Sequence, residues 1–488
     1  MPLQGGFRLI TAGHSQASVS IIGGTMPLDL KAILNDRMGE NYSLHERYLN
    51  STLVTVLRTI GFDKVYTSAR GAYLYDREGN DYLDFLSGYS VYNIGRNHPT
   101  VRQALTDVLS LDLPNMVQMD CSILSGLLAE ALLKKAPAHL GAVFFCNSGA
   151  EAVEGALKFA RNATGRDRFI SLEGAFHGLT LGALSVMGCE SFREGAGTLL
   201  SSDQVPLGDL NSLECLLATR QFAAFILEPV QGKGVHYATP EYYREAQQLC
   251  RTYGTLLICD EVQTGLGRTG RWWGHEHWGL EPDIVTTAKA LSGGYVPCAA
   301  ILTRREIFQK TYSRLDRCVI HSSTFGRNNL AMACGLATLE VLEEENLVAN
   351  AEKMGALLVQ QIEALKEKHS IIGEVRGKGL MIAIEFQEPK EFTARMGWRF
   401  LQSLGKEVFA QTLVTTLLTR HRILTQVAAH GAAQIKILPP LMIGEKEVER
   451  FVAALDASLA EYQSFPGPIW TLGNHFIKAQ LQRAGSTL

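Results

Sequence analysis

From about residue 105 to 330 the chain repeats one pattern: a short apolar run, then a stretch with helical spacing. The runs at 142–146, 169–172, 224–227, 256–259, 284–287 and 299–302 are rich in aliphatic and β-branched residues, and each is too short for a buried helix. Helical patterns lie between several of them, such as the one from Pro240 to Tyr253, which stops at Gly254. This alternation predicts an α/β fold with a central, mostly parallel sheet covered on both faces. Sheets of this kind bind ligands outside the carboxyl ends of their strands.

Two chemically telling residues fall at such ends. Asp260 closes Leu256-Leu257-Ile258-Cys259 and opens Asp260-Glu261-Val262-Gln263-Thr264-Gly265-Leu266-Gly267-Arg268-Thr269-Gly270. Lys289 closes Asp283-Ile284-Val285-Thr286-Thr287-Ala288 and precedes Ala290-Leu291-Ser292-Gly293-Gly294. An amine drawn out of water at a strand end has a lowered pKa and becomes nucleophilic. Such a lysine captures a carbonyl cofactor as a Schiff base, and a carboxylate beside it suits a pyridinium nitrogen. A structural ion pair near a sheet edge is the ordinary explanation for either residue alone; the pair with its flanking motifs points to chemistry.

The remainder of the chain divides by pattern. Residues 1–40 read as an N-terminal extension, weakly periodic and rich in Gly, Ser and Gln. Residues 41–104 form the first part of a small domain. They carry a β-hairpin in which Gly71-Ala72-Tyr73-Leu74-Tyr75-Asp76 and Asp81-Tyr82-Leu83-Asp84-Phe85 flank a break at Glu78-Gly79-Asn80. Residues 105–330 form the large domain. Residues 331–462 complete a smaller α+β domain, with helices expected at 331–345, 351–368 and 445–459 and a strand pair near 379–386, before a tail at 463–488. A formal net charge of −3 gives no electrostatic case for nucleic acid or for a charged membrane surface. The apolar runs are too short to span a bilayer. The nine cysteines include no CxxC pair, which suits reduced thiols and a cytoplasmic protein. The N-terminus, despite Arg8, lacks the apolar core of a secretion signal.

Other strand ends carry polar or aromatic groups. In Phe144-Phe145-Cys146-Asn147-Ser148-Gly149-Ala150-Glu151, Asn147 or Ser148 can cap the helix that follows, and the Gly149 and Ala150 amides then face an anion; an ordinary helix cap explains the same residues equally well. Gly174-Ala175-Phe176-His177-Gly178 offers an aromatic ring to a flat heterocycle, against the plainer reading of a core phenylalanine and a turn histidine. Glu228 ends another run, and His321-Ser322-Ser323-Thr324-Phe325-Gly326 supplies hydroxyls, or simply a polar turn.

Taken in order, these motifs resemble those of class III, ornithine-type aminotransferases over roughly residues 45–460. The segments 144–160 and 175–183 look most like putrescine and other diamine aminotransferases. The resemblance implies fold type I, pyridoxal 5'-phosphate as cofactor, and a homodimer with shared active sites. It implies that Lys289 is the Schiff-base lysine and proton shuttle and that Asp260 bonds the pyridine nitrogen. It further implies that Phe176 stacks on the ring, with His177 beside it, and that Ser148, Gly149 and Ala150 hold the phosphate. Gln263 would reach the ring hydroxyl, Glu228 would manage charge near the substrate, and Thr324 would serve the neighbouring subunit's phosphate. The substrates implied are a primary amine or diamine and a 2-oxo acid in a ping-pong scheme. An amino-acid transaminase, an aminomutase and a non-catalytic protein keeping the fold are the alternatives. Two departures stand out. Arg327-Asn328-Asn329 replaces the family's Gly-Asn-Pro, and Lys436 precedes Pro439-Pro440-Leu441 where carboxylate-binding members carry arginine. Lysine lacks the planar fork that grips a carboxylate bidentately. An amine donor is therefore expected over an α-amino acid, with another cation such as Arg327 holding the oxo acid.

Overall fold

The computed structural model describes residues 28–116, 119–428 and 432–463. Most of the expected N-terminal extension and the tail from residue 464 on lie outside the described residues. The chain forms two compact units, one up to Val54 and one from Thr55 on. In the first, the helices Leu30–Arg37 and Asn41–Tyr48 have no buried residue, and Asp29 caps the former by accepting from Ala32 N at 2.9 Å.

The second unit is built on three sheets. The largest has seven strands in the order Ala142–Cys146, Ala299–Thr303, Ile284–Thr287, Leu256–Asp260, Phe222–Leu227, Arg168–Leu172, Ser202–Val205. Ala299–Thr303 runs antiparallel to both its neighbours, and the remaining pairs are parallel. All six expected strands are present, and Ser202–Val205 is an addition. Its sequence, Ser-Asp-Gln-Val, carries no apolar run because an edge strand is covered less than an interior one. By contrast, every residue of Phe222–Leu227 is buried, as a strand covered on both faces requires.

The helix Pro240–Tyr253 begins with Thr239 Oγ1 accepting from Tyr242 N and ends at Gly254, whose φ of 67° only glycine adopts freely. The helices Asn329–Glu344, Leu347–Ala364 and Glu445–Gln463 replace the expected 331–345, 351–368 and 445–459. The second starts early, at Leu347, and stops at Ala364 because 365–367 is a tighter 3-10 turn.

Two four-stranded sheets complete the fold. In one, Tyr66–Arg70, Tyr73–Asp76 and Asp81–Asp84 form an antiparallel meander containing the expected hairpin, and Asp81–Asp84 pairs in parallel with Ile423–Leu424. Residues 66–84 thus share a sheet with the C-terminal part of the chain. In the other, Ile372–Lys378, Met381–Phe386, Gln434–Ile437 and Gln426–Val427 are antiparallel. The strand pair expected near 379–386 is longer and starts earlier. Gly373, Glu374, Arg376 and Gly377 hid its first strand, and Gly379, at φ +52°, is the turn. That turn presses on the loop after Asp260: a Cβ at Gly379 would come within 2.3 Å of the Thr269 carbonyl carbon. Arg268, fully buried, fastens the same junction by donating to Leu380 O, Pro439 O and Asn93 Oδ1.

Candidate active site

Leu256–Asp260 and Ile284–Thr287 are adjacent parallel strands with Asp260 opposite Thr286, so Asp260 and Lys289 emerge at the same sheet end. Both line a cavity of ≈ 850 Å³. Ser148, Gly149, Ala150, Phe176, His177, Glu228 and Gln263 line it too. Thr324 does not; it is exposed on the surface of its own chain.

Each wall has a local cause. Ser148 Oγ accepts from Glu151 N at 3.2 Å, while Glu151 accepts from Ser148 N at 3.1 Å and Asn147 N at 2.7 Å. This capping box fixes the start of helix Gly149–Thr164 and leaves the Gly149 and Ala150 amides without intrahelical acceptors. Ser148, rather than Asn147, is therefore the cap. Gly149 is required by space, since a Cβ there would lie 2.8 Å from Val262 Cγ1.

Asp260 is 4 % exposed and held by three donors: His177 Nδ1 at 2.7 Å, Thr286 Oγ1 at 3.0 Å and Val262 N at 3.1 Å. Glu228 accepts from Phe176 N at 2.9 Å and Gly232 N at 2.8 Å, yet burial pushes its carboxyl above the usual range, and Asp260 adds to the effect. Burial pushes the Lys289 amine down, against the pull of Asp260 and Glu228. Lys289 also has a φ of 44°. A left-handed conformation at a non-glycine residue costs of order 1–3 kcal/mol and persists where the surroundings enforce it, commonly at functional sites.

Gln263, on the cavity wall, is bonded to two other segments of the chain. Its Nε2 donates to Tyr89 O at 3.1 Å and its Oε1 accepts from Lys436 Nζ at 3.3 Å. In this arrangement it braces the segment Ser87–Ser90, in which every residue has positive φ. Lys436 reaches the cavity from the strand Gln434–Ile437 and also donates to Gly232 O at 2.6 Å. Burial, with the nearby Lys289 ammonium, lowers its pKa to about 7. Arg327 lies at a separate cavity of ≈ 340 Å³, beside Ser322 and Ser323. The sequence reading passed over Lys233 and Val262, which line the main cavity. Val262 sits within a motif already singled out, whereas Lys233 had no pattern to mark it.

The model of the family Aminotransferase class-III matches residues 59–459. The chain belongs to the class-III aminotransferases. Aminotransferase PigE of Serratia sp. (strain ATCC 39006) is 36 % identical over 455 residues, covering 86 % of this chain and 53 % of that protein. The chain thus spans about half the length of that curated relative. Among solved structures, the ornithine aminotransferase of Toxoplasma gondii ME49 superposes with a TM-score of 0.77 at 27 % identity, over 89 % of this chain and 99 % of that one. A PLP-bound amine transaminase from an uncultivated Pseudomonas species gives 0.71 at 32 % identity, over 82 % and 96 %. This class-III chain has fold type I: a mostly parallel central sheet with separate smaller sheets.

Proposed function

We propose that this chain is a transaminase that moves an amino group between a primary amine or diamine and a 2-oxo acid, using pyridoxal 5'-phosphate. The observation that carries the reading is the placement of Lys289 and Asp260 on adjacent strand ends, in one cavity with a helix N-terminus. The residues fit the cofactor. A capped helix start without side-chain bulk at Gly149 suits a phosphate. Phe176 lines the cavity beside His177, whose Nε2 is buried without a partner among the described residues. The cofactor, when bound, supplies an aldehyde that carries the amino group and a ring that takes up electrons. Asp260 would hold a proton at the pyridine nitrogen, fixed in place by His177, Thr286 and the Val262 amide. The lowered pKa of Lys289 keeps a larger share of its amine neutral, so that Nζ takes up and returns a proton at the substrate carbon.

The preference for an amine over an α-amino acid rests on Lys436. Its ammonium is spent on Gly232 O and Gln263 Oε1 and is shifted toward neutrality. The Toxoplasma ornithine aminotransferase likeness supports the second reading, an amino-acid transaminase. We also propose a homodimer in which Thr324, outside its own chain's cavity, serves the partner's site, and a cytoplasmic location. Among the described residues, no helix is long and apolar enough to cross a membrane.

Borohydride reduction of the protein loaded with pyridoxal phosphate, followed by peptide mapping, tests the assignment. The adduct is expected on Lys289. An adduct on another lysine, or a protein that takes up no cofactor, overturns it.

A further inference from the structure

The cavity has an uneven distribution of charge that the proposed chemistry does not use up. Its carboxylates, Asp260 and Glu228, are both committed: the first to His177, Thr286 and Val262, the second to the amides of Phe176 and Gly232. Its lysines are Lys289, Lys436 and Lys233. Lys436 donates to two neutral oxygens. Lys233 is half-buried and has no ion pair among the described residues. Its neighbours are aromatic, with Nζ 5.7 Å from the Phe176 ring centroid and 5.2 Å from that of Phe192.

The backbone holds Lys233 in this position. It sits between Gly232 and Gly234 in the turn that follows Glu228. A Cβ at Gly232 would come within 2.8 Å of Gln263 Oε1, and Gly234 has a φ of +80°. The turn is closed by Val235 N donating to Gln231 O at 3.1 Å and Gln231 N donating to His236 O at 2.9 Å, while Gln231 Nε2 donates to Glu173 O at 2.8 Å. The fixed turn sets where the Lys233 stem leaves the backbone, and so which part of the cavity wall its amine reaches.

We propose that Lys233 receives the carboxylate of the 2-oxo acid acceptor, a role that rests on the transaminase reading. The acceptor brings one negative charge beside its carbonyl, and Lys233, unlike Lys289, is left over by the proposed cofactor chemistry and has no oxygen partner among the described residues. Lys436 is buried and spent on Gly232 and Gln263, and Arg327 opens on another cavity. Lysine binds as a point charge rather than through a planar fork, so recognition depends on charge more than on shape. The site is therefore expected to take pyruvate and 2-oxoglutarate with similar efficiency.

The test compares wild type, Lys233→Gln and Lys233→Arg, with one primary amine as donor. The acceptors are pyruvate, 2-oxoglutarate and an aldehyde without a carboxylate. Lys233→Gln is expected to raise KM for both oxo acids about tenfold, the scale of one charged hydrogen bond. The same variant should leave kcat at saturation and the aldehyde reaction within about twofold of wild type, and Lys233→Arg should behave nearly as wild type. An unchanged KM for the oxo acids overturns the proposal. So does an equal loss with oxo acid and aldehyde, which would mean that Lys233 only steadies Phe176. Amine consumption in a single turnover without acceptor tests the transaminase reading by itself. If wild type consumes no amine, 2-oxoglutarate binding by calorimetry still decides the role of Lys233: weakening by about tenfold in Lys233→Gln supports it, and unchanged affinity refutes it.

Discussion

His177 Nδ1 lies 2.7 Å from Asp260 Oδ2, although the two follow strands separated in the sheet by a third, Phe222–Leu227. The contact therefore depends on the loop Gly174–Gly178 folding back over the end of the intervening strand, where Glu228 takes the Phe176 amide. Asp260, Glu228 and the aromatic wall are thus set by one network.

The carboxylate charge of Asp260 is expected to matter far more than its orientation by His177. Asp260→Asn should retain cofactor binding, because the helix start at Gly149 and Lys289 are untouched. It should lose about a hundredfold or more in kcat, since removing a charge partner at a reacting centre costs several kcal/mol. His177→Gln leaves Thr286 and Val262 holding Asp260 and should lose about tenfold, the scale of one hydrogen bond to a charged group. Absorbance titration with pyridoxal phosphate and steady-state kinetics separate the two effects. Equal losses in the two variants would assign the main role to geometry.

Gly149→Ala should weaken cofactor binding without unfolding the protein. The new methyl meets Val262 Cγ1 and Cγ2 at 2.8 and 3.1 Å, so the helix start or the Asp260–Val262 turn has to shift. Overpacking of this kind costs about 1–3 kcal/mol. Val262→Ala in the same chain removes the clashing methyls and should restore much of the affinity. Failure of the double variant to recover would place the defect in the backbone rather than in the contact.

The site was legible wherever a strand end coincided with a run of special residues. Asp260 and Lys289 follow apolar strands, and Asn147-Ser148-Gly149-Ala150 reads as a helix cap, with the choice between Asn147 and Ser148 settled only by the Glu151 contacts. What stayed hidden depends on long-range assembly. Nothing local in Gln434-Ile435-Lys436-Ile437 shows that this strand lies beside Met381–Phe386 and delivers an amine to the turn after Glu228. Lys233 flanked by glycines reads as an ordinary solvated turn until Phe176 and Phe192 are brought to it. The strand Ile372–Lys378 was missed because its glycines and charges masked the alternation, and the antiparallel insertion of Ala299–Thr303 leaves no mark in its own apolar sequence.

Thr324 supplies a test of the proposed shared site. Lys289→Ala and Thr324→Val chains, each expected to be impaired, are mixed under conditions where subunits exchange. A hybrid dimer then carries both lesions in one site and leaves the other intact, so up to about a quarter of wild-type activity should return. Exchange demonstrated by mass-labelled chains, with no recovered activity, would mean that Thr324 does not serve the partner's site.

Lys436 leads to a prediction about stability and pH. Burial pushes its pKa down to about 7 in the folded protein, against 10.5 as the ordinary value. Between these values the unfolded chain binds a proton that the folded one does not, so stability rises with pH across that window. Below about pH 7 the buried ammonium imposes its full penalty, roughly 5 kcal/mol if the whole shift is expressed. Lys436→Met removes that penalty and also removes the hydrogen bonds to Gly232 O and Gln263 Oε1, which offsets part of the gain by about 1–2 kcal/mol. The variant should therefore be more stable than wild type at pH 7, by a margin that shrinks steadily toward pH 10. Denaturant midpoints measured at pH 6, 7, 8, 9 and 10 check this. A margin independent of pH would mean that Lys436 keeps an ordinary pKa. It would then be a buried ammonium, and the preference for amines over α-amino acids would rest only on the missing planar fork and on the hydrogen bonds to Gly232 O and Gln263 Oε1.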